Sequence, residues 1–156
     1  LSRKKRNYNR QIASDEKFHD KTVSKLINYV MKDGKKSIAK KIVYHSLDIA
    51  SKKLALEPLD LFNQVVKKIS PEVEVRSRRI GGSNYQVPKE IRADRKLVIA
   101  LKWLVSSARS RTEYTMIDRL SYELIDIINN KAATLNKKEE LHKRAEANRA
   151  FSSLNW

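Results

Sequence analysis

The chain has 156 residues, 34 of them Lys or Arg against 18 Asp or Glu, for a formal net charge of +16 and no cysteine. The length suffices for one domain with a real hydrophobic core. Without Cys there are no disulfides, thiolate nucleophiles or thiolate metal sites, and no apolar run approaches the roughly 20 residues that span a bilayer. A compact fold with this surplus of positive charge repels itself, so a polyanionic partner is expected. Aromatic residues make up only 7% of the chain, so attraction to phosphates, rather than base stacking, must supply most of the affinity.

Residues 1–17 read as a mobile basic arm. Residues 1–10 carry five basic side chains and no acidic one, with too little apolar surface to offset the entropy of ordering. An inert tail fits the same composition, and no apolar segment follows that would make it a secretory signal. Asp20 can cap a first helix that shows Val23, Leu26, Ile27 and Val30 on one face, with Asp33-Gly34 ending it and Gly34 in the left-handed cap position. A second helix to about Ala55 carries the stripe Ile38, Ile42, His45 and Ile49, widened by Val43 and Leu47. That stripe places His45 inside, as a hydrogen-bonded side chain. Pro58 suits the first position of a third helix with Leu59, Phe62, Val66 and Ile69 toward the core.

The segment PEVEVRSRRIGGSNYQVP, residues 71–88, breaks the helical pattern. Val73 and Val75 alternate with Glu72, Glu74 and Arg76, the period of a strand. Gly81-Gly82-Ser83-Asn84 supplies the reversal, Tyr85-Gln86-Val87 the return strand, and Pro88 its stop. Arg76, Arg78 and Arg79 crowd the approach to the turn. Guanidiniums make forked hydrogen bonds to phosphate oxygens, so a basic finger lying along nucleic acid accounts for them. A solvated edge hairpin, charged to discourage sheet-to-sheet association, is the plainer reading.

Beyond Pro88 the helical period returns. Leu97, Leu101, Leu104 and Ala108 form the apolar stripe of a fourth helix. At 100° per residue Arg92, Arg95, Lys102 and Arg109 fall within about 100° of one another on its far side, a continuous basic ridge. Trp103 also lies toward that side; it reads as core covered by a second element, the alternative being that it faces the partner. A fifth helix from about Thr115 turns Ile117, Leu120, Leu124 and Ile127 inward. Asn136 with Glu139 resembles a capping box for a sixth, thinly apolar surface helix that carries Lys137, Lys138, Lys143, Arg144 and Arg149. Phe151, Leu154 and Trp156 close the chain as an apolar tail that needs a surface to rest on.

Catalytic signatures are lacking. Gly34-Lys35-Lys36-Ser37 ends like a phosphate loop, but Tyr29 stands where its first glycine belongs. His19, His45 and His142 have no zinc spacing, and no nucleophile elbow or dinucleotide fingerprint appears. The expected molecule is not an enzyme and needs no cofactor, metal or small-molecule substrate. Its fold class is mainly α: a mobile arm over residues 1–17, then one helical domain of about six helices over 18–156 with a protruding β-hairpin near 72–88. Binding by phosphate contact positions rather than specifies. A nucleoid-type basic DNA-binding protein is the alternative to an RNA-binding one, and equal competition by duplex DNA would favour it.

Four blocks in order carry a resemblance. They are VMKDGKKSIAKKIVY (30–44), SPEVEVRSRRIGGSNYQVPKEIR (70–92), Ala100-Leu101-Lys102-Trp103-Leu104 with Ala108-Arg109-Ser110-Arg111, and AEANRAF (145–151). Together they resemble the family of the seventh protein of the small ribosomal subunit, in its bacterial form, over essentially the whole chain. The resemblance implies a structural constituent of the cytoplasmic ribosome, bacterial or organellar, that binds the 3′ major domain of small-subunit rRNA and nucleates assembly of the subunit's head. It implies rRNA contacts at Arg3, Lys4, Lys5, Arg6, Lys35, Lys36, Arg76, Arg78, Arg79, Arg92, Arg95, Lys102, Arg109 and Arg111. It also implies a hairpin tip, Arg79, Gly81, Gly82, Ser83, Asn84 and Tyr85, near the exit site with messenger and transfer RNA. A tail with Phe151 and Trp156 would meet a neighbouring protein of the platform, beside others of the head, and no membrane is implied. One departure is Asn130-Lys131-Ala132, where many bacterial members have Asn-Lys-Gly.

Overall fold

The computed structural model describes residues 12–154. Arg3, Lys4, Lys5 and Arg6 of the expected arm, and Trp156 of the tail, lie outside the described residues. The described elements run α1 (Lys21–Val30), α2 (Lys36–Leu54), α3 (Pro58–Ile69), β1 (Val73–Ile80), β2 (Ser83–Glu90), α4 (Ala93–Ser110), α5 (Met116–Ile128), α6 (Ala133–Ala147) and a closing 3₁₀ segment (Arg149–Leu154). Among the described residues helices dominate and the one sheet is an antiparallel hairpin, so the mainly α fold class holds.

The core forms where five apolar helix faces meet. Leu26 and Ile27 of α1, Val43 and Leu47 of α2, Leu61 and Phe62 of α3, Leu101 and Leu104 of α4, and Leu120, Leu124 and Ile127 of α5 are buried together. α6 buries only Thr134 and Ala145 and lies on the outside, as its thin apolar face implies.

Helix boundaries follow local chemistry. Asp20 caps α1 by accepting from the Thr22 and Val23 amides at 2.5 and 3.1 Å. The helix stops at Val30, before the expected Asp33-Gly34; those two residues take φ of +52° and +71° and make the turn into α2. Pro58 is the first residue of α3, where its missing N–H costs nothing.

α2 faces inward differently from the expected stripe. Ala39, Val43, Ser46, Leu47 and Ala50 are buried, whereas Ile38 is 52% exposed and His45 lies in solvent. The reason is crowding: α2 packs against α1, α3 and α5, and small side chains let those backbones approach. The Ser46 hydroxyl lies 2.7 Å from the Ile42 carbonyl and 3.0 Å from that of Ile117 in α5. In α3 a similar small rotation buries Leu61 and Val65 beside Phe62 and Ile69, leaving Leu59 and Val66 at the margin.

The hairpin turn is shorter than expected. Gly81 and Gly82 alone carry positive φ, +56° and +88°, as a two-residue turn of the primed type requires. Ser83 and Asn84 already belong to β2, paired with Ile80 and Arg79. Pro88 does not stop the strand; it pairs with Val75, and β2 runs on to Glu90. Alternation from the turn places Pro88 in a non-hydrogen-bonded pair, where the nitrogen points away from the partner strand and the ladder is left intact. The alternation of burial is also inverted. Glu74 and Val87 are buried on the face toward the body, and Val73 and Val75 are only half-buried.

Residues from Asp15 onward, inside the span expected for the arm, are docked on α2. Asp15 is buried, accepting from the Tyr44 hydroxyl at 2.6 Å and from the Lys17 and Phe18 amides at 3.1 Å. Burial works to raise this carboxyl, and those donors outweigh it, holding it below the ordinary range. Burial and the bond to Asp15 push the Tyr44 phenol up to about 12. Phe18 meets Tyr44 edge-on, and Lys17 pairs with Asp48 at 2.9 Å.

The junction of α5 and α6 accommodates the departure from Asn-Lys-Gly. Asn130 takes φ +59°, with its amide on the Ile127 carbonyl and the Lys131 amide on that of Asp126, at 3.2 and 2.8 Å. This is a Schellman closure with Asn in the left-handed place. Ala132 has φ of −78° and is buried, so the position takes an L side chain without strain and its methyl fills space. α6 starts three residues before the expected Asn136, with no cap of its own. Glu123 of α5 does that work: its Oε1 accepts from the Thr134 amide at 3.1 Å and the Thr134 hydroxyl at 2.6 Å. Its Oε2 accepts from Arg111 Nη1 at 2.8 Å, and Glu123 is fully buried.

Removing one partner from a buried, hydrogen-bonded ion pair costs about 3–5 kcal/mol. Glu123→Ala is therefore expected to lower unfolding stability in urea by that amount. The exposed pair Arg149–Glu146 should contribute at most about 1 kcal/mol when Arg149→Ala is measured in the same way. Comparable effects in the two variants would show that Glu123 does not hold α6.

Candidate nucleic-acid interface

Arg95, Lys102 and Arg109 stand seven residues apart on α4, close to two turns each, and therefore on one stripe. All three are exposed, as is Arg92 at the helix start. Their neighbours differ. Lys102 and Arg109 flank Tyr29 in a shallow groove of about 240 Å³ completed by Val105 and Ser106. Arg109 also borders a second groove of about 310 Å³, whose floor includes Ile38, Ile42 and Met116 and whose rim carries Lys32, Lys35 and Arg119. Lysines and arginines from four places in the sequence thus surround two adjoining depressions that share Arg109.

Arg109 has a structural duty too. Its Nη2 donates to the Tyr29 and Val30 carbonyls at 3.3 and 3.2 Å, satisfying the end of α1, where carbonyls lack helical partners and the dipole favours a cation. The same device recurs elsewhere. Lys68 Nζ donates to the Ile128 carbonyl at 2.7 Å at the end of α5, and Lys138 Nζ to the Lys68 carbonyl at 2.6 Å near the end of α3.

The hairpin arginines do not act as one cluster. Arg76 and Arg78 sit opposite Val87 and Tyr85, on the face that carries Glu74, while Arg79 pairs with Asn84 on the other face. Glu74 accepts from Arg76 through one oxygen and from Arg95 Nε at 2.6 Å through the other. Burial tends to raise the Glu74 carboxyl; hydrogen bonds from Arg95 and Arg76 outweigh it and hold it below the ordinary range. One carboxylate therefore ties the base of the hairpin to the start of α4.

Arg111 is drawn away from the ridge into the fold. Its Nη1 reaches Glu123 and Asp126, both at 2.8 Å, and its Nε reaches Glu113 at 3.0 Å. Burial alone would lower its pKa, but the three carboxylates raise it further. Trp103, expected in the core, is half-buried and lies outside the central cluster, because α6 covers α4 only in part.

Comparison with known proteins identifies the family. The family model described as ribosomal protein S7p/S5e matches residues 2–149. The chain belongs to the ribosomal protein S7 family. Similar relatives are the small ribosomal subunit proteins uS7 of Bartonella tribocorum and Maricaulis maris, each 48% identical, and that of Xanthobacter autotrophicus, 47% identical; each match covers 100% of both chains. S7-family proteins are structural components rather than catalysts.

For this S7-family chain, the residues named by motif divide by environment. Lys35, Lys36, Arg79, Arg92, Lys102 and Arg109 are exposed, Arg76 and Arg95 share Glu74, and Arg111 is committed internally. Gly81, Gly82, Ser83 and Asn84 are exposed at the tip, whereas Tyr85 is half-buried against Phe151 of the tail. Lys32, Arg119 and Tyr29 join the grooves although none was among the expected contacts. Lys32 could have been found from its place beside the Asp33-Gly34 turn; Arg119 carries no sequence signal, since only packing brings α5 beside α2.

The pH behaviour of Glu74 follows from its depressed pKa. Its ion pairs stabilise the hairpin base fully above the unfolded carboxylate value, about 4.3, and that contribution disappears as pH falls through the lower folded value. NMR methyl shifts of Val87 should therefore report an acid transition of the hairpin in the wild type and none in Glu74→Gln, which is loosened at neutral pH already. Identical titrations would place the mooring of the hairpin elsewhere.

Proposed function

We propose that this chain is a structural constituent of the small ribosomal subunit that binds the 3′ major domain of its rRNA directly and helps nucleate the head. The observation that carries this reading is the pair of adjoining grooves rimmed by Lys32, Lys35, Lys102, Arg109 and Arg119, in a chain of net charge +16 that belongs to a ribosomal family. Separate cationic surfaces on α4, on the turn before α2 and on the hairpin can each neutralise a different strand, and so hold a folded RNA junction together. Duplex RNA offers phosphates and 2′-hydroxyls across a shallow minor groove, while its major groove admits few side chains. Shape and charge therefore do the recognising.

The hairpin tip, with Arg79, Gly81, Gly82, Ser83 and Asn84 outward, suits a position beside RNA at the exit site, where messenger and transfer RNA pass. Arg78, in the same strand, is included in that contact. Arg3, Lys4, Lys5 and Arg6 extend the same binding. Phe151 and the tail lie toward a neighbouring protein of the platform. Arg111 is left out of the rRNA contacts, since three carboxylates already satisfy it.

Footprinting on naked small-subunit rRNA across a salt series tests the reading. Log affinity should fall steeply with log salt, and Lys35→Ala with Lys102→Ala should lower the slope by about one for each phosphate left without its cation. Arg78→Ala with Arg79→Ala should weaken binding by about 1–3 kcal/mol for each guanidinium removed from a phosphate. An unchanged slope and affinity in both double variants, or equal protection of duplex DNA, would overturn it.

A further inference from the structure

The hairpin rests on the end of the chain. Among the described elements, β1 packs along α6, and β2 packs mainly on the closing 3₁₀ segment. α4 meets the base of the hairpin through the Arg95 side chain at Glu74. The base of the hairpin is thus held by that carboxylate and by buried Val87. Farther out, two residues nearer the tip, Tyr85 meets Phe151 with ring centroids 5.4 Å apart and planes tilted by 58°.

Local geometry directs Phe151 to that place. The Asn148 amide and its side-chain Nδ2 both donate to the Arg144 carbonyl, at 3.3 and 2.8 Å, and the Phe151 amide donates to the Asn148 carbonyl at 3.0 Å. The chain leaving α6 is therefore folded back over β2 instead of continuing outward. Tyr85 lies on the hairpin face shared with Arg76 and Arg78, so the strap crosses the same side that bears those two guanidiniums.

A two-stranded hairpin is marginal in water without a further layer against one face. We infer that the closing 3₁₀ segment completes that layer beside α6, as a strap fastened by Phe151 on Tyr85 that couples the order of the hairpin to the seating of the tail. Whatever lifts Phe151 loosens the hairpin. Whatever fixes the hairpin in this pose favours the seated tail by the same factor, because linked equilibria are reciprocal. The coupling is present in the free chain, whatever the hairpin binds.

Amide hydrogen exchange of the free full-length chain tests this. An aromatic pair of this kind should make residues 76–86 exchange roughly two- to tenfold faster in Phe151→Ala, with α3 and α5 unchanged and Phe151→Tyr close to wild type. The double variant Tyr85→Ala, Phe151→Ala should be no looser than Tyr85→Ala alone. Unchanged hairpin exchange in Phe151→Ala, acceleration spread equally over α3 and α5, or additive effects in the double variant would each overturn the strap.

Discussion

The rest of the structure depends on one buried carboxylate. Glu123 faces Arg111 on one side and Thr134 on the other, and so joins the end of α4, the middle of α5 and the start of α6. α6 has too little apolar surface to be held by burial alone. A fully buried charge is tolerated only when its hydrogen-bonding capacity is filled, and here the filling fixes where α6 begins. Because β1 leans on α6 and β2 on the segment after it, the position of the hairpin inherits that fixed point. A specific ionic contact in the interior thereby sets the pose of a surface element some distance along the chain.

The positive charge is divided between two duties. Arg109, Lys68 and Lys138 satisfy carbonyls at or near the ends of α1, α5 and α3, where a cation meets the negative end of the helix dipole. Arg76 and Arg95 neutralise Glu74. Lys102, Lys35 and Arg79 point outward with the surplus. Arg109 belongs to both sets, bordering the two grooves while it closes α1. An RNA contact at that side chain would therefore act directly on the end of α1 and the turn that follows.

Much of this is legible in the sequence. The apolar faces of α1, α4 and α5 are strongly periodic, and Pro58 and Gly81-Gly82 act through backbone constraints that need no tertiary context. The α4 stripe of Arg95, Lys102 and Arg109 follows from helical spacing alone. Periodicity misplaces the α2 stripe because it favours large residues inward, while packing on three sides selects Ala39, Ser46 and Ala50. The start of α6 escapes local reading because its cap, Glu123, lies eleven residues upstream of Thr134. Arg111 looks like its basic neighbours in sequence, and only the folded positions of Glu123 and Asp126 separate it from them. Long-range partners of this kind leave no periodic trace.

The placement of Pro88 has a consequence for chains that have not met RNA. A hairpin of two strands has an open margin on each side, and such margins invite pairing between molecules. Pro88 sits where the nitrogen faces outward, so the outer margin of β2 lacks a hydrogen at that point, and an approaching strand would find its register interrupted. Pairing between copies through the β2 margin is thereby disfavoured at Pro88.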